Sequence, residues 1–389
     1  MKNNIHNQIL LSLKKVYNQK NFLYDPHSPI FDYNENFYLN KVIESNCVSS
    51  IGKYVDKFEL LLKNYTQSKY AICLSSGTAA LHLALHLLKV KKDDEILIPA
   101  FNFVASANAS LLLGATPHFV ECDLKTNSID VEKISLYLKK NTYLKNNECI
   151  NKKTKNVIKA CIPTYSYGSG FDIKKLISVC KKYKIKVIED SSEALGTFIN
   201  SKHAGTFGDL GILSFNGNKI ITTGGGGAIL TNSKYLAKQA RHISSTAKKN
   251  IHNYSKIHTE FGLNYRMPNI NAALGVSQIL KLKKILRKKK SLYKKLKFEL
   301  RHLNDYVDIY EEPESCKNNY WFQLLKIKNN KIKKNYLLKI LNKNNIQATS
   351  AWKLLNSFKY LKKYPSMNLE ISKKLSKNLI CLPSNKFKI

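Results

Sequence analysis

From residue 70 onward the chain alternates short apolar, strand-like runs with helical segments, and this alternation constrains the fold more than any other feature. Tyr70–Leu74, Glu95–Ile98, His118–Glu121, Val157–Ile162 and Lys186–Glu189 read as strands. Helical stretches over Thr78–Leu88, Val104–Leu113 and Ile173–Tyr183 separate them. Strands that are apolar on both faces belong inside a parallel or mixed sheet covered by helices. After Asn269 the character changes. Residues 272–302 predict one or two long lysine-studded helices, with the lysines on the wet face. Short strands (Tyr320–Ile327) and helices (Lys334–Asn342) follow. The expected fold class is α/β: a large domain over residues 1–270 with an N-terminal helical segment, then a smaller α+β domain over 271–389. The segment 139–156 reads as the most loop-like stretch.

Charge narrows the function classes. Lys and Arg total 64 against 27 acidic residues, a net +37, which by itself would suit a nucleic-acid binder. Yet arginine occurs only at Arg241, Arg266, Arg287 and Arg301, and phosphate and base recognition favour its forked head. Lysine spread through Asn- and Ile-rich sequence reads as a solvated surface, so no specific nucleic acid is expected. Nonspecific attraction to polyanions stays open. The eight cysteines form no C-x-x-C pair and read as buried thiols, with no metal site. Residues 96–120 carry no Asp, Glu, Lys or Arg, but Pro99, Gly114 and Pro117 divide them into pieces too short for a membrane span. Ile9-Leu10-Leu11 is too short for a signal peptide. A cytoplasmic protein without a membrane partner is expected.

Three segments carry chemistry when taken together. Ser75-Ser76-Gly77-Thr78-Ala79-Ala80-Leu81 joins a strand to a helix, where small residues let backbone N–H groups approach an anion. Alone it is equally a plain helix cap. Val187-Ile188-Glu189-Asp190 is an apolar strand ending in acid, which places Asp190 at the carboxyl edge of the sheet, where open α/β folds bind ligands. Asp190 could equally be a helix N-cap. Lys219 is the single charge between Gly211 and Asn232, and a desolvated lysine suits Schiff-base chemistry. A lysine snorkelling from a loop is the alternative. An anion cradle, a strand-end carboxylate and an isolated lysine are what pyridoxal 5′-phosphate requires.

At these residues the chain resembles the DegT/StrS family of pyridoxal-phosphate-dependent sugar aminotransferases over nearly its whole length. The matching motifs are Ser76-Gly77-Thr78-Ala79-Ala80-Leu81, Pro99-Ala100-Phe101-Asn102-Phe103, Glu189-Asp190-Ser191-Ser192-Glu193-Ala194-Leu195-Gly196, His203-Ala204-Gly205-Thr206-Phe207-Gly208-Asp209, Ser214-Phe215-Asn216-Gly217-Asn218-Lys219 and Gly262-Leu263-Asn264-Tyr265-Arg266-Met267. The run from Asn216 to Gly227 is similar to the branch acting on 4-keto-6-deoxy-N-acetylhexosamine nucleotides in bacillosamine and legionaminic-acid synthesis. The resemblance implies the fold type I architecture of aminotransferases, with a mostly parallel central sheet. It also implies L-glutamate as donor, a nucleotide sugar as acceptor and a homodimer with shared active sites.

Carried over by position, the resemblance implies that Gly77, Thr78 and Ser214 hold the cofactor phosphate. Phe103 stacks on the pyridine ring, Asp190 pairs with its nitrogen, and Glu193 lies near its phenolic oxygen. Lys219 carries the cofactor and shuttles protons, and Asn264 reaches the neighbouring subunit's phosphate. Arg266 is a candidate substrate contact in a chain that rarely uses arginine, with a structural salt bridge as the equal alternative. Tyr165 and Trp352 are placed near the sugar pocket. This branch often carries His where Tyr165 and Asn356 stand, which leaves the sugar open, and the chain stops at Ile389, short of where relatives usually end. Two rival functions remain: transamination of a different keto-sugar nucleotide, and a non-catalytic polyanion-binding protein of the same fold. A sugar dehydratase of this family would carry His in place of Lys219.

Overall fold

A computed structural model describes residues 4–17, 22–25, 27–32, 34–252 and 255–388. Seven strands form the central sheet: β1 (Tyr70–Leu74), β2 (Glu95–Pro99), β3 (Thr116–Val120), β4 (Ile158–Cys161), β5 (Lys186–Asp190), β6 (Leu210–Ser214) and β7 (Gly227–Thr231). Their spatial order is β1-β7-β6-β5-β4-β2-β3. Only β7 runs antiparallel to its neighbours, β1 and β6; the other pairings are parallel. Both sheet faces are buried because helices cover them. On one side Ile72, Ile98, Ile188 and Ile212 pack with Leu81 and Leu85 of the helix Gly77–Leu87. On the other, Cys73, Leu213, Ala228 and Leu230 pack with Phe58 and Leu62 of the helix Lys53–Thr66.

The charge-free stretch resolves as β2, the helix Ala105–Leu112 and β3. No helix of the described residues is long and apolar enough to cross a membrane. All eight cysteines are unpaired, and seven are buried. The stretch 139–156 is more ordered than its composition suggests. It contains a β-hairpin, Thr142–Lys145 with Glu148–Asn151, turned by Asn146 and Asn147 at φ 50° and 62°. Asparagine tolerates that left-handed conformation, which a two-residue hairpin loop needs. Asn151 then donates to the buried Glu95 at 2.9 Å, which anchors the hairpin to the sheet.

Beyond residue 268 a single helix of 32 residues, Asn269–Leu300, links the two cores. Its first turns bury Ala272, Ala273 and Val276 with Phe58. Its last turns bury Leu296 and Leu300 against the second sheet, formed by β8 (Val307–Ile309), β9 (Gln323–Ile327), β10 (Thr349–Ser350) and β11 (Leu379–Leu382) in the order β8-β9-β11-β10. Two features differ from the sequence expectation. Ile9 and Leu13 of the N-terminal helix Ile5–Val16 join this second core, so the early segment packs with the late one. Lys289 does not lie on the wet face. It is 2% exposed, with Nζ donating to the Trp321 carbonyl, Ser384 Oγ and Asn385 Oδ1. Long polar stems can enter a core when their heads find such acceptors.

Candidate active site

The site lies at the carboxyl ends of the parallel strands, where chain reversals leave backbone groups unpaired. Two residues past β1 stands Ser76, an extended N-cap whose Oγ accepts from Ala79 N at 3.0 Å while its carbonyl accepts from Ala80 N. The N–H groups of Gly77 and Thr78 meet no acceptor among the described residues, and both residues line the cavity. A Cβ on Gly77 would stand 3.0 Å from Ser214 Cβ, a tight contact, so glycine eases the close approach of the helix start to the end of β6. Gly227 serves the same purpose beneath. Its Cβ would sit 2.4 Å from the Ser76 carbonyl oxygen, so the last glycine of the run marks a backbone crossing.

Strand alternation sorts the two acids at the end of β5. Glu189 points away from the cavity and is fully buried, with its carboxylate accepting from Gly205, Phe207 and Gly208 N–H groups. Asp190 faces the cavity. Ser106 Oγ donates to its Oδ2 at 2.9 Å and Ser192 N to its Oδ1 at 3.2 Å. Lys219 stands on the connection between β6 and β7. Its Nζ lies 3.2 Å from Glu193 Oε1 and 4.2 Å from the centroid of the Trp321 ring. Glu193 is buried, which pushes its carboxyl up to about 7 against the opposing charge of Lys219.

These residues surround a cavity of about 480 Å³, also lined by Asn102, Phe103, Ser214, Phe322 and Trp352. One wall is aromatic. Tyr167 stacks on Trp352 with centroids 4.2 Å apart and lies nearly parallel to Trp321 at 6.2 Å. The Trp321 indole N–H donates to the Asn218 carbonyl at 2.6 Å, which ties the second sheet to the Lys219 loop.

Of the residues singled out from the sequence, Gly77, Thr78, Phe103, Asp190, Glu193, Ser214, Lys219 and Trp352 all line this cavity. Tyr165 does not. Its backbone N–H continues the β4–β5 pairing onto the Asp190 carbonyl, so its side chain turns inward and its hydroxyl donates to Glu189. Tyr167, two residues on, takes the cavity position. Arg266 lies outside the lining, with Nη2 3.8 Å from Glu59 Oε1. Glu59 also pairs with Arg241 and accepts from Cys73 N, so in this chain Arg266 belongs to an ion-pair cluster behind the cradle. Asn264 is exposed and outside its own chain's cavity. Sequence reasoning passed over Tyr167, Ser106, Trp321 and Phe322. Tyr167 alone left a signal, standing one residue before Gly168 in the turn that was read for Tyr165.

The donor set fits pyridoxal phosphate. Two unaccepted helix N-terminal N–H groups and a serine hydroxyl suit the phosphate, a buried carboxylate suits the ring nitrogen, and a sheltered lysine suits the aldehyde. The comparisons agree. Residues 29–386 match the DegT/DnrJ/EryC1/StrS aminotransferase family model. The chain is 35% identical over 295 residues to the GDP-perosamine synthase of Vibrio cholerae, covering 76% of this chain and 75% of that protein. It is 33% identical over 288 residues to the UDP-4-amino-4,6-dideoxy-N-acetyl-beta-L-altrosamine transaminase of Campylobacter jejuni, covering 72% and 71%. Among solved structures, Helicobacter pylori PseC, an aminotransferase involved in pseudoaminic acid biosynthesis, superposes with a TM-score of 0.81 at 25% identity over 93% of this chain and 94% of that one. With the cradle, carboxylate and lysine converging on one cavity, the chain belongs to the DegT/DnrJ/EryC1/StrS aminotransferase family and is a pyridoxal-phosphate-dependent enzyme.

Proposed function

We propose that the protein transfers the amino group of L-glutamate to the C4 keto carbon of a nucleotide-linked 4-keto-6-deoxy-N-acetylhexosamine. The product is an amino sugar of the bacillosamine or legionaminic-acid type for surface glycans. The observation that carries the reading is the convergence of Lys219, Asp190 and the Gly77–Thr78 cradle on one cavity with an aromatic wall. Bound pyridoxal phosphate supplies an electron sink for the donor's α-carbon and a carrier for its amino group. Gly77, Thr78 and Ser214 bind the phosphate. Asp190 holds a negative charge against the ring nitrogen from a carboxylate fixed by Ser106 and Ser192. Phe103, on the cavity wall, would pack against the ring, and Lys219 would anchor the group and move protons at its Nζ. The rings of Tyr167, Trp321 and Trp352 offer an apolar wall to a pyranose face and exclude water from the reacting carbon.

We propose further that the enzyme works as a homodimer, with Asn264 of the partner subunit completing each phosphate site. The exposure of Asn264, away from its own chain's cavity, supports this. A GDP-linked acceptor is the second reading, favoured by the 35% identity to a GDP-perosamine synthase. The test incubates purified protein and glutamate with UDP- and GDP-linked 4-keto-6-deoxy sugars and follows products by mass. Amination of the UDP-linked N-acetyl sugar is expected. Turnover of GDP sugars alone replaces the first reading with the second, and no turnover of any keto sugar refutes both. Peptide mapping after borohydride reduction places the pyridoxyl label on Lys219 if the lysine is correctly assigned.

A further inference from the structure

Lys219 and Glu193 form a closed pair. The lysine side chain is 12% exposed and the glutamate 4%, with 3.2 Å between Nζ and Oε1. The second carboxylate oxygen is also fixed, because Tyr167 N donates to Oε2 at 2.8 Å. Tyr167 is held in turn. Its φ of 57° is left-handed, its hydroxyl accepts from Trp352 N at 2.9 Å, and its ring is stacked on Trp352. Asn319 Nδ2 donates to the Glu193 carbonyl at 2.6 Å and pins the backbone. Glu193 is therefore held at both carboxylate oxygens and at its backbone. The titratable groups that face it are Lys219 from the β6–β7 connection, Asp190 from β5, the Tyr167 phenol from the 166–168 turn and the Cys381 thiol from β11. Lys219 is the one cation among these.

The pair sets a lysine amine directly against a carboxylate. Condensation with an aldehyde to a neutral imine would remove the lysine's charge and leave a buried carboxylate with one N–H donor beside the Asp190 carboxylate. An unpaired buried charge of this kind is neutralised rather than kept. We propose that Glu193 accepts the proton Lys219 sheds on condensing with pyridoxal phosphate, and stores it as a neutral carboxylic acid beside the imine nitrogen. The step balances without a further reactant: ammonium, aldehyde and carboxylate give imine, water and carboxylic acid. Burial already favours the protonated form of Glu193, and the charge of Lys219 opposes it most, with the Tyr167 N–H donor acting in the same sense. Loss of that charge acts in the same direction as burial. The inference rests on Lys219 being the lysine that takes the cofactor.

The test is infrared difference spectroscopy on the full chain, adding pyridoxal phosphate to apoprotein at about pH 8, above the Glu193 value of about 7, in water and in D2O. The wild type should gain a protonated-carboxyl C=O band that shifts in D2O. Glu193→Gln, which keeps the shape and one acceptor for the Tyr167 N–H, should lose that band while borohydride still fixes the cofactor to Lys219. A wild-type spectrum without the band overturns the proposal, whatever the variant does. A band that persists in Glu193→Gln also overturns it, because the proton then sits on another carboxyl such as Asp190. If the borohydride label falls on a different lysine, the assignment of Lys219 fails first, and the two failures are told apart.

Discussion

Replacing Asp190 by Asn isolates the value of one charge. The side chain is 5% exposed and held at both oxygens, by Ser106 Oγ at 2.9 Å and Ser192 N at 3.2 Å. Asn keeps an acceptor for the Ser192 N–H and turns its amide N–H towards the Ser106 hydroxyl, which can accept. The fold should survive at a cost of about 1 kcal/mol, the net value of one altered hydrogen bond. What disappears is the anion proposed to hold a protonated ring nitrogen. Two unit charges about 4 Å apart in a site of effective dielectric about 20 interact by about 4 kcal/mol. At about 1.4 kcal/mol per decade, loss of that stabilisation slows proton abstraction from the donor about a thousandfold. The assay is a single-turnover half-reaction with L-glutamate, followed by cofactor absorbance in a stopped-flow instrument, with circular dichroism and bound-cofactor content as controls. A half-reaction within about threefold of wild type, with cofactor bound, would falsify the placement of Asp190 against the ring. Ser106→Ala, which only loosens the carboxylate, should cost about tenfold.

Further outcomes follow from other parts of the structure. Mixing Lys219→Ala with Asn264→Ala under limiting cofactor should restore activity once subunits exchange, and exchange confirmed by mass without activity confines the site to one chain. His203 is buried, which lowers its pKa from 6.5 to about 4. Between those values the unfolded chain binds the proton that the native state refuses, so stability falls as pH drops from about 6.5 towards about 4, by up to about 3 kcal/mol. Denaturant melts across that window should flatten in His203→Gln, and an unchanged slope refutes the assignment. Gly211→Ala should abolish soluble expression or lower the melting temperature sharply, because its Cβ would stand 1.9 Å from the Gly205 carbonyl oxygen. Near-normal melting would show that the β6 backbone can yield.

The parts of the site that were legible in the sequence share one property, an uncharged local setting in a chain crowded with lysine. Lys219 stood out for that reason, as did the small-residue turn at Gly77. Asp190 was legible because the apolar run before it fixes a strand and its end. Tyr165 was misplaced because β4 continues its pairing beyond Cys161 up to Asp190, an extension that no composition cue marks. Trp321 and Phe322 reach the cavity only through the docking of the second sheet, a contact between segments about a hundred residues from Lys219. Lys289 broke the periodicity argument because its acceptors, Trp321, Ser384 and Asn385, lie on other elements. Helical spacing describes a surface; it does not describe what is laid upon it.

The docking of the N-terminal helix on the last strands sets a schedule for biosynthesis. The Tyr17 hydroxyl donates to the Pro383 carbonyl across 366 residues, and Ile9 and Leu13 pack with Ile380 and Leu382. At a synthesis rate of about 5–20 residues per second, the helix waits roughly 20–70 s for the strands that cover it. Part of its cover comes earlier, because Leu296 and Leu300 of the long helix pack with Ile9 and Leu13 as well. The central sheet can assemble meanwhile, since the strand β7 that joins Lys219 to the cradle precedes the second sheet. The segments that carry Gly77, Asp190 and Lys219 are thus made before Ile380 and Leu382, which complete the cover on the helix Ile5–Val16, and translation speed over the intervening chain governs how long part of that face stays exposed to aggregation.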